Sequence, residues 1–89
     1  MNYTEEEELL KISQELKKVI AKTLNLPVSE ITPELTAGEV ERWDSLGHLN
    51  LILAIEGNFK IKFKTEQIPT LTTVKKIQEQ MKAKGLFNE

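Results

Sequence analysis

The chain has 89 residues, of which 39% are hydrophobic and 29% charged, and this composition indicates one small globular domain over residues 1–89. It contains no cysteine, which excludes disulfides, zinc sites built on thiolates and a cysteine nucleophile. Twelve basic and fourteen acidic side chains give a net charge of −2, a balance that disfavours nucleic-acid binding.

The N-terminal residues and the apolar runs bear on where the protein works. The first ten residues, MNYTEEEELL, are acidic and lack the basic and apolar regions of a signal peptide. The longest apolar run, LNLILAI, is too short to cross a bilayer. From these features we expect a cytoplasmic protein that does not enter membranes.

The first predicted helix covers about residues 5–24. Thr4 and Glu7 match a capping box, and the glutamates of the first turn suit the positive end of the helix dipole. Apolar residues then recur at helical spacing, at Leu9, Ile12, Leu16, Val19, Ile20 and Leu24. Asn25 and Pro27 are expected to end the helix.

Residues 25–43, NLPVSEITPELTAGEVERW, are predicted to form a long loop because they contain Pro, Gly and Thr without a sustained period. A loop of this length in a small domain needs anchoring. We expect Pro33 to start a short helical turn. The expected anchors on the helices are Leu26, Ile31, Leu35 and Val40.

The second predicted helix starts after Asp44, a favourable N-cap residue, and stops near Gly57 and Asn58. Its apolar positions predict one broad buried face, formed by Leu46, Leu49, Ile52, Leu53, Ile55 and Phe59. We expect Leu46 to be shared between the core and a partner surface, since it adjoins Ser45.

Residues 60–64, KIKFK, alternate like a strand but have no partner strand, so we predict an extended connector with Ile61 and Phe63 turned inward. Residues 65–68 are expected to form one helical turn before Pro69.

The last predicted helix is capped by Thr72 or Thr73 and ends at Gly85. Its expected core residues are Val74, Ile77 and Met81, and Leu86 is expected to pack just beyond the end. The sum is an all-α fold, a small four-helix bundle with three main helices, one short helix and a long first loop.

Ser45 stands at the front of the second helix, where its hydroxyl has three interpretations: catalytic nucleophile, helix cap or attachment point. Asp44, Ser45 and His48 are the residue types of a catalytic triad. Asp44 is too close along the chain to orient a histidine that also activates Ser45, and the G-x-S-x-G turn of hydrolases is absent. Ser and Asp are common N-cap residues, so the local pattern by itself favours capping.

The wider pattern resembles the acyl carrier protein family over nearly the whole chain. The D-S-L signature of that family falls on residues 44–46, at mid-chain and at the start of a helix. The loop element of isoleucine, threonine and proline is similar to residues 31–33, and the threonine-threonine-valine turn before the last helix is similar to residues 72–74.

The resemblance implies a carrier that is not itself an enzyme and has no metal site. A phosphopantetheinyl transferase would move 4′-phosphopantetheine from coenzyme A onto Ser45, with Asp44 assisting this magnesium-dependent reaction. The thiol of the arm would then carry acyl groups between acyl-loading and acyl-processing enzymes. This fits a chain without cysteine, which needs a borrowed thiol. We expect a monomer.

Residues 44–59 depart from the acidic helix of many fatty-acid carriers, because Asp44 and Glu56 are their only acids and three lysines follow at once. Weak electrostatic steering favours a specialised pathway, such as polyketide-like or lipid synthesis, over fatty-acid synthesis, which stays as an alternative. Two non-carrier alternatives also stay open. They are a helical interaction module in which Ser45 is only a cap, and a degenerate carrier kept as a structural subunit.

The expected recognition surface around Ser45 consists of Trp43, Leu46, His48 and Leu49. For Trp43 the alternative is a partly buried anchor of the long loop. For His48 the alternative is an exposed polar residue of the helix, without a contact to the arm or the transferase.

Overall fold

A computed structural model describes residues 11–87 of the chain. Within this range three α-helices form the bundle: α1 (Gln14–Leu24), α2 (Ser45–Phe59) and α3 (Val74–Ala83). Two 3₁₀ helices, Val28–Glu30 and Thr65–Thr70, lie in the connections. The described residues contain no β-strand, only an isolated bridge. The predicted all-α fold, with three main helices and a short one between the last two, is confirmed.

Helix α1 begins later than the sequence predicted. Residues 11–13 are not helical, and Ser13 is the N-cap, with its hydroxyl accepting the Leu16 N–H at 3.4 Å. The prediction of one continuous helix over residues 5–24 is therefore wrong at residues 11–13. Its expected start at residue 5 and the Thr4–Glu7 capping box lie outside the described residues. The predicted end is correct, because Asn25 adopts the left-handed conformation directly after Leu24.

A side chain from α3 explains the break before α1. The amide of Gln78 is buried, and its Oε1 accepts the Ser13 N–H at 2.7 Å. Its Nε2 donates to the Lys11 carbonyl at 2.7 Å. These tertiary hydrogen bonds take the place of helical ones, so the chain can leave the helical path without stranding buried polar groups.

The core gathers side chains from all three helices and from the connections between them. The largest fully buried side chains are Trp43, Leu16, Ile20, Leu24, Ile31, Leu51, Ile52, Ile55, Leu71, Ile77, Met81 and Val74. In α3 the three predicted core residues are among them, and Thr73 is the N-cap, accepting the Lys76 N–H.

Helix α3 ends as predicted in the turn that contains Gly85. Gly85 has φ +95°, and its N–H donates to the Lys82 carbonyl at 2.9 Å. The Leu86 N–H donates to the Met81 carbonyl at 3.1 Å, and Leu86 packs against the core. This pair of bonds is a Schellman motif, which requires a left-handed residue and so favours glycine at residue 85.

The loop over residues 25–43 is confirmed. Its four predicted anchors pack on the core: Ile31 is buried, and Leu26, Leu35 and Val40 are partly buried. The helical turn in this loop is Val28–Glu30, so the prediction of a turn of helix starting at Pro33 is wrong. Residues 33 and 34 form only a turn.

The buried face of α2 differs from the predicted one. Leu51, Ile52 and Ile55 are buried, as predicted for the last two. Three leucines expected in the core are exposed instead: Leu46 at 67%, Leu49 at 47% and Leu53 at 57%. The sequence could not choose between the faces because α2 is apolar nearly all round, so its periodicity is weak.

Residues 61–64 lie outside any regular element and Lys64 has extended dihedral angles, and Phe63 is buried and Ile61 half-buried, as predicted. The Phe63 N–H donates to Glu56 Oε2 at 2.9 Å, which ties the connector to α2. The 3₁₀ helix that follows continues through Pro69 to Thr70, two residues beyond the predicted turn.

Candidate functional site

Ser45 is the first residue of α2, and its side chain is exposed. Asp44 caps the helix, with Oδ1 accepting the Gly47 N–H at 2.7 Å. The Asp44 carbonyl also accepts the His48 N–H at 2.7 Å. The Ser45 hydroxyl therefore stands at a helix N-terminus, where free N–H groups and the positive end of the dipole favour a phosphate.

Gly47 brings the first turn of α2 against the loop that precedes it. A Cβ atom at this position would overlap the carbonyl oxygen of Arg42 and lie 3.1 Å from Asp44 Oδ1. Only glycine allows this approach, so Gly47 fixes the rotation of α2 about its axis at the end where Ser45 lies. The same rotation turns Leu51 and Ile55 into the core, at one and two helical turns from Gly47.

Trp43 supports the site from inside. Its side chain has 0% exposure, so the prediction that it belongs to a recognition surface is wrong, and the loop-anchor interpretation applies in a stronger form than expected. Its backbone N–H donates to the Val40 carbonyl at 2.9 Å, and its carbonyl accepts the Gly38 N–H at 2.8 Å. These backbone bonds close a turn over residues 38–43, directly before the start of α2.

His48 connects Trp43 to the segment before α3. Trp43 Nε1 donates to His48 Nδ1 at 2.8 Å, and the two rings are stacked with centroids 6.1 Å apart. His48 Nε2 lies 2.8 Å from the Ile68 carbonyl. An indole N–H can only donate, so Nδ1 is the acceptor and Nε2 carries the proton that is donated to Ile68.

This geometry overturns the exposed-residue alternative for His48, whereas its place on the recognition surface stays a prediction. It is half-buried, not an exposed polar residue, and both ring nitrogens already have partners within the protein. A contact of His48 with the arm would require one of these bonds to break. The same bonds leave His48 without a nitrogen to act as a base for Ser45, so no triad forms.

A hollow of about 400 Å³ opens beside Ser45 between the loop, α2 and the 3₁₀ helix before α3. It is lined by Ala37, Gly38, Trp43, Asp44, Ser45, His48, Pro69 and Thr72. The sequence placed Asp44 and Ser45 together, but it gave no signal that Ala37 and Pro69 would border the same hollow. Tertiary contacts bring Ala37 and Pro69 to the hollow.

Leu46 and Leu49, two of the predicted recognition residues, lie on the surface next to Ser45. Leu53 continues the same exposed side, although the sequence indicated a core position. Its exposure could have been suspected from the excess of apolar residues in α2, since a helix of a small domain buries one stripe only.

Residues 11–87 were compared with the requirements of a metal-ligand cluster and of a membrane-spanning helix. This range contains no cluster of three or more His, Cys, Asp or Glu side chains that could hold a metal ion. Nor does any helix within it have the length and apolar character needed to span a bilayer.

Comparison with known proteins identifies the family. No protein-family model matches the chain. Several curated acyl carrier proteins do match the chain. That of Buchnera aphidicola subsp. Baizongia pistaciae is 38% identical over 66 residues, 74% of this chain and 85% of the relative. The acyl carrier protein of Coprothermobacter proteolyticus is 36% identical over 67 residues, which are 75% of this chain and 82% of the relative.

A third relative, the acyl carrier protein of Streptomyces coelicolor, is 39% identical over 64 residues, 71% of this chain and 70% of its own. At these levels of identity and coverage, and with the all-helical fold described above, the chain belongs to the acyl carrier protein family and is a carrier, not an enzyme.

Proposed function

We propose that Ser45 is the attachment point for 4′-phosphopantetheine. The observation that carries this proposal is an exposed serine hydroxyl at the first position of α2, in an acyl carrier protein that has no cysteine of its own. When bound, the group supplies a thiol that holds an acyl chain as a thioester. The residues fit it, because the helix N-terminus favours the negative phosphodiester and the exposed start of α2 leaves the arm in solvent.

The residues around Ser45 keep its hydroxyl accessible. Asp44 takes the capping role, so the Ser45 side chain is not needed to satisfy the helix start. The polar side-chain atoms of Trp43 and His48 are bonded to each other and to the Ile68 carbonyl, so they do not engage the Ser45 hydroxyl. Ser45 is thereby free to be the group that the transferase modifies.

Asp44 has a second proposed role, in assisting the magnesium-dependent reaction of the transferase. Its carboxylate is exposed and adjacent to Ser45, where it can contribute charge to an incoming metal ion. Asp44→Asn separates the two roles, because the amide oxygen can still cap α2 but the negative charge is lost.

We further propose that the protein works as a cytoplasmic monomer in a specialised pathway, polyketide-like or lipid, with acyl-loading and acyl-processing enzymes as partners. The exposed side of α2 supports the specialised pathway, since it presents leucines and residues 45–55 contain no carboxylate. The alternative is the carrier of fatty-acid synthesis. Rescue of a bacterial strain depleted of its own fatty-acid carrier would favour that alternative.

The attachment is tested by intact mass after incubation with coenzyme A, magnesium and a broad-specificity phosphopantetheinyl transferase. We expect the wild type to gain one phosphopantetheine and Ser45→Ala to gain none. Ser29→Ala is the matched control, because Ser29 is also exposed and belongs to the 3₁₀ helix Val28–Glu30. Asp44→Asn is expected to be modified more slowly than wild type.

Ser45→Ala should fold normally, with a change in the free energy of unfolding within about 0.5 kcal/mol, because Asp44 provides the cap. A folded wild type that gains no mass, beside a reference carrier that the same transferase modifies, would contradict the proposal. That result would favour a helical interaction module in which Ser45 is only a cap, or a degenerate carrier kept as a structural subunit.

A further inference from the structure

Two side-chain hydrogen bonds cross the space between α2 and the 3₁₀ helix Thr65–Thr70. Trp43 Nε1 donates to His48 Nδ1, and His48 Nε2 donates to the Ile68 carbonyl, each at 2.8 Å. We call these three bonded residues the Trp43–His48–Ile68 bridge. The bridge joins the end of the loop, the start of α2 and the 3₁₀ helix, which are the segments that meet at the hollow beside Ser45.

The bridge stands between this hollow and the hydrophobic core. Trp43 and His48 both line the hollow, and Trp43, with 0% exposure, also belongs to the core cluster. The Trp43 ring is therefore part of the wall that separates the two. The core on the inner side of the wall is filled by side chains with no more than 1% exposure, among them Leu51, Ile55 and Leu71.

An alkyl chain cannot pass this wall while the bridge is intact. A carbon atom approaches other heavy atoms no closer than about 3.5 Å, so a chain needs a gap of about 7 Å between the atoms on its two sides. The bonded atoms of the bridge are only 2.8 Å apart. Opening a path would break one of the two bonds and leave the buried indole N–H or the Ile68 carbonyl facing hydrocarbon without a partner, which is unfavourable.

We propose that the Trp43–His48–Ile68 bridge determines which cargo the protein carries, by keeping the acyl group no deeper than the hollow beside Ser45. This inference rests on the proposed function. Methylenes that extend beyond the hollow stay in water, and each then forgoes a gain of roughly fourfold in the equilibrium constant for burial. Short or polar acyl groups avoid this loss, and Asp44 and Thr72 place polar atoms along the hollow. The cargo class is therefore short or polar acyl groups.

The experiment loads the full chain with acyl groups of two lengths and compares the thermal stability of the products. A broad-specificity phosphopantetheinyl transferase uses hexanoyl- or decanoyl-coenzyme A. In this transfer the Ser45 oxygen loses its proton and replaces adenosine 3′,5′-bisphosphate on phosphorus, and intact mass confirms complete loading. A methylene buried only in the folded state would raise Tm by roughly 3–6 °C. We expect the two Tm values to agree within about 2 °C, because the additional methylenes of decanoyl stay in solvent.

The bridge itself provides a second readout. Trp43 is the single tryptophan of the chain, so the NMR resonance of its indole N–H reports the bond to His48. We expect this resonance at the same position in the hexanoyl and decanoyl forms, since the longer chain does not reach the bond.

His48→Ala removes the centre of the bridge and opens the wall. In this variant we expect the decanoyl form to have a Tm at least about 5 °C above that of the hexanoyl form, because additional methylenes can now be buried. Trp43→Phe keeps a buried aromatic ring without the N–H donor and should act in the same direction. Asn50→Ala is the matched control, since Asn50 is an exposed residue of the same helix, and its two Tm values should agree as in wild type. Circular dichroism confirms that each variant folds.

Two results would overturn this inference. The first is a wild type whose Tm rises by about 10 °C or more from hexanoyl to decanoyl, or whose indole resonance moves with chain length, since the cargo then enters the core. The second is equal Tm values for the two forms of both bridge variants, which would show that the bridge is not what excludes the chain. If neither variant folds, the wild-type series still decides the depth of the cargo. A wild type that gains the acylated arm keeps the attachment at Ser45 in every case, whereas no gain overturns both proposals.

Discussion

At residue 47 the first turn of α2 lies so close to the loop that a Cβ atom would overlap the Arg42 carbonyl oxygen. Backbone on both sides prevents an easy adjustment, so the contact determines how α2 is rotated beside Ser45. Gly57, in the same helix, has no atom within 4 Å of its own Cβ position. The two glycines therefore differ in their surroundings and share their helical conformation.

This difference predicts opposite effects of one substitution. Gly47→Ala should lower the free energy of unfolding by about 1–3 kcal/mol, because the loop or the helix must move. Gly57→Ala should raise it by about 0.5–1 kcal/mol, since alanine has the higher helix propensity. Urea unfolding followed by circular dichroism measures both. Equal effects of the two variants would show that the contact with Arg42 gives way easily.

The Trp43–His48 bond is the second feature at this scale. His48→Ala leaves the buried indole N–H and the Ile68 carbonyl without their partner, and we expect a loss of about 1–3 kcal/mol. Asn50→Ala, an exposed position on the same helix, should change stability by less than about 0.5 kcal/mol. A double-mutant cycle with Trp43→Phe should give a coupling of at least about 0.5 kcal/mol. Additive effects would indicate that the bond is not maintained in solution.

At the scale of elements, the start of α1 depends on α3. Gln78 supplies both hydrogen bonds that hold residues 11 and 13 outside the helix, and Ser13 then caps the helix from there. Both polar atoms of the buried amide have a partner, which is the condition under which a polar side chain is tolerated in a core.

Replacing this amide should release the segment before α1. Gln78→Leu keeps a similar volume but removes the partners of the Ser13 N–H and the Lys11 carbonyl, so we expect a loss of about 1–3 kcal/mol. The Ser13 amide should exchange hydrogen faster in the variant than in wild type. Glu79→Leu, at an exposed neighbouring position of α3, is the control. Unchanged exchange at Ser13 would assign the break before α1 to another cause.

At the scale of the whole molecule, the loop over residues 25–43 is fastened to the start of α3. The Ala37 N–H donates to the Thr72 carbonyl at 2.8 Å, and the Val74 N–H donates to the Leu35 carbonyl at 3.1 Å. The Lys75 N–H donates to the Pro33 carbonyl at 3.0 Å. These backbone bonds join segments that are far apart in sequence, so the loop belongs to the folded unit that positions Ser45.

The fastening predicts that the loop does not open independently. In native-state hydrogen exchange, the Ala37 and Gly38 amides should be protected to within about tenfold of the amides of α1, because their bonds break only when the core opens. Amide exchange followed by NMR measures this at each residue. Protection close to that of an unfolded chain would show that the loop detaches while the helices remain.

The sequence by itself determined the features that depend on neighbouring residues. The caps at Asp44 and Thr73 and the turn at Gly85 follow from hydrogen bonds within a few residues, so their residue types predict them, although the sequence left Thr72 open beside Thr73. The same locality places Ser45 at the start of α2, and the order of short motifs along the chain indicated the carrier family.

Only the tertiary structure decided which sides of these elements are buried. Helix α2 has apolar residues nearly all round, and the contact at Gly47 turns Leu46, Leu49 and Leu53 outward. Trp43 is fully buried and His48 half-buried, and the second hydrogen bond of His48 goes to Ile68, twenty residues along the chain. Hydrogen bonds between residues far apart in the chain produce no periodic pattern in the sequence, so only the folded structure shows which residues pair.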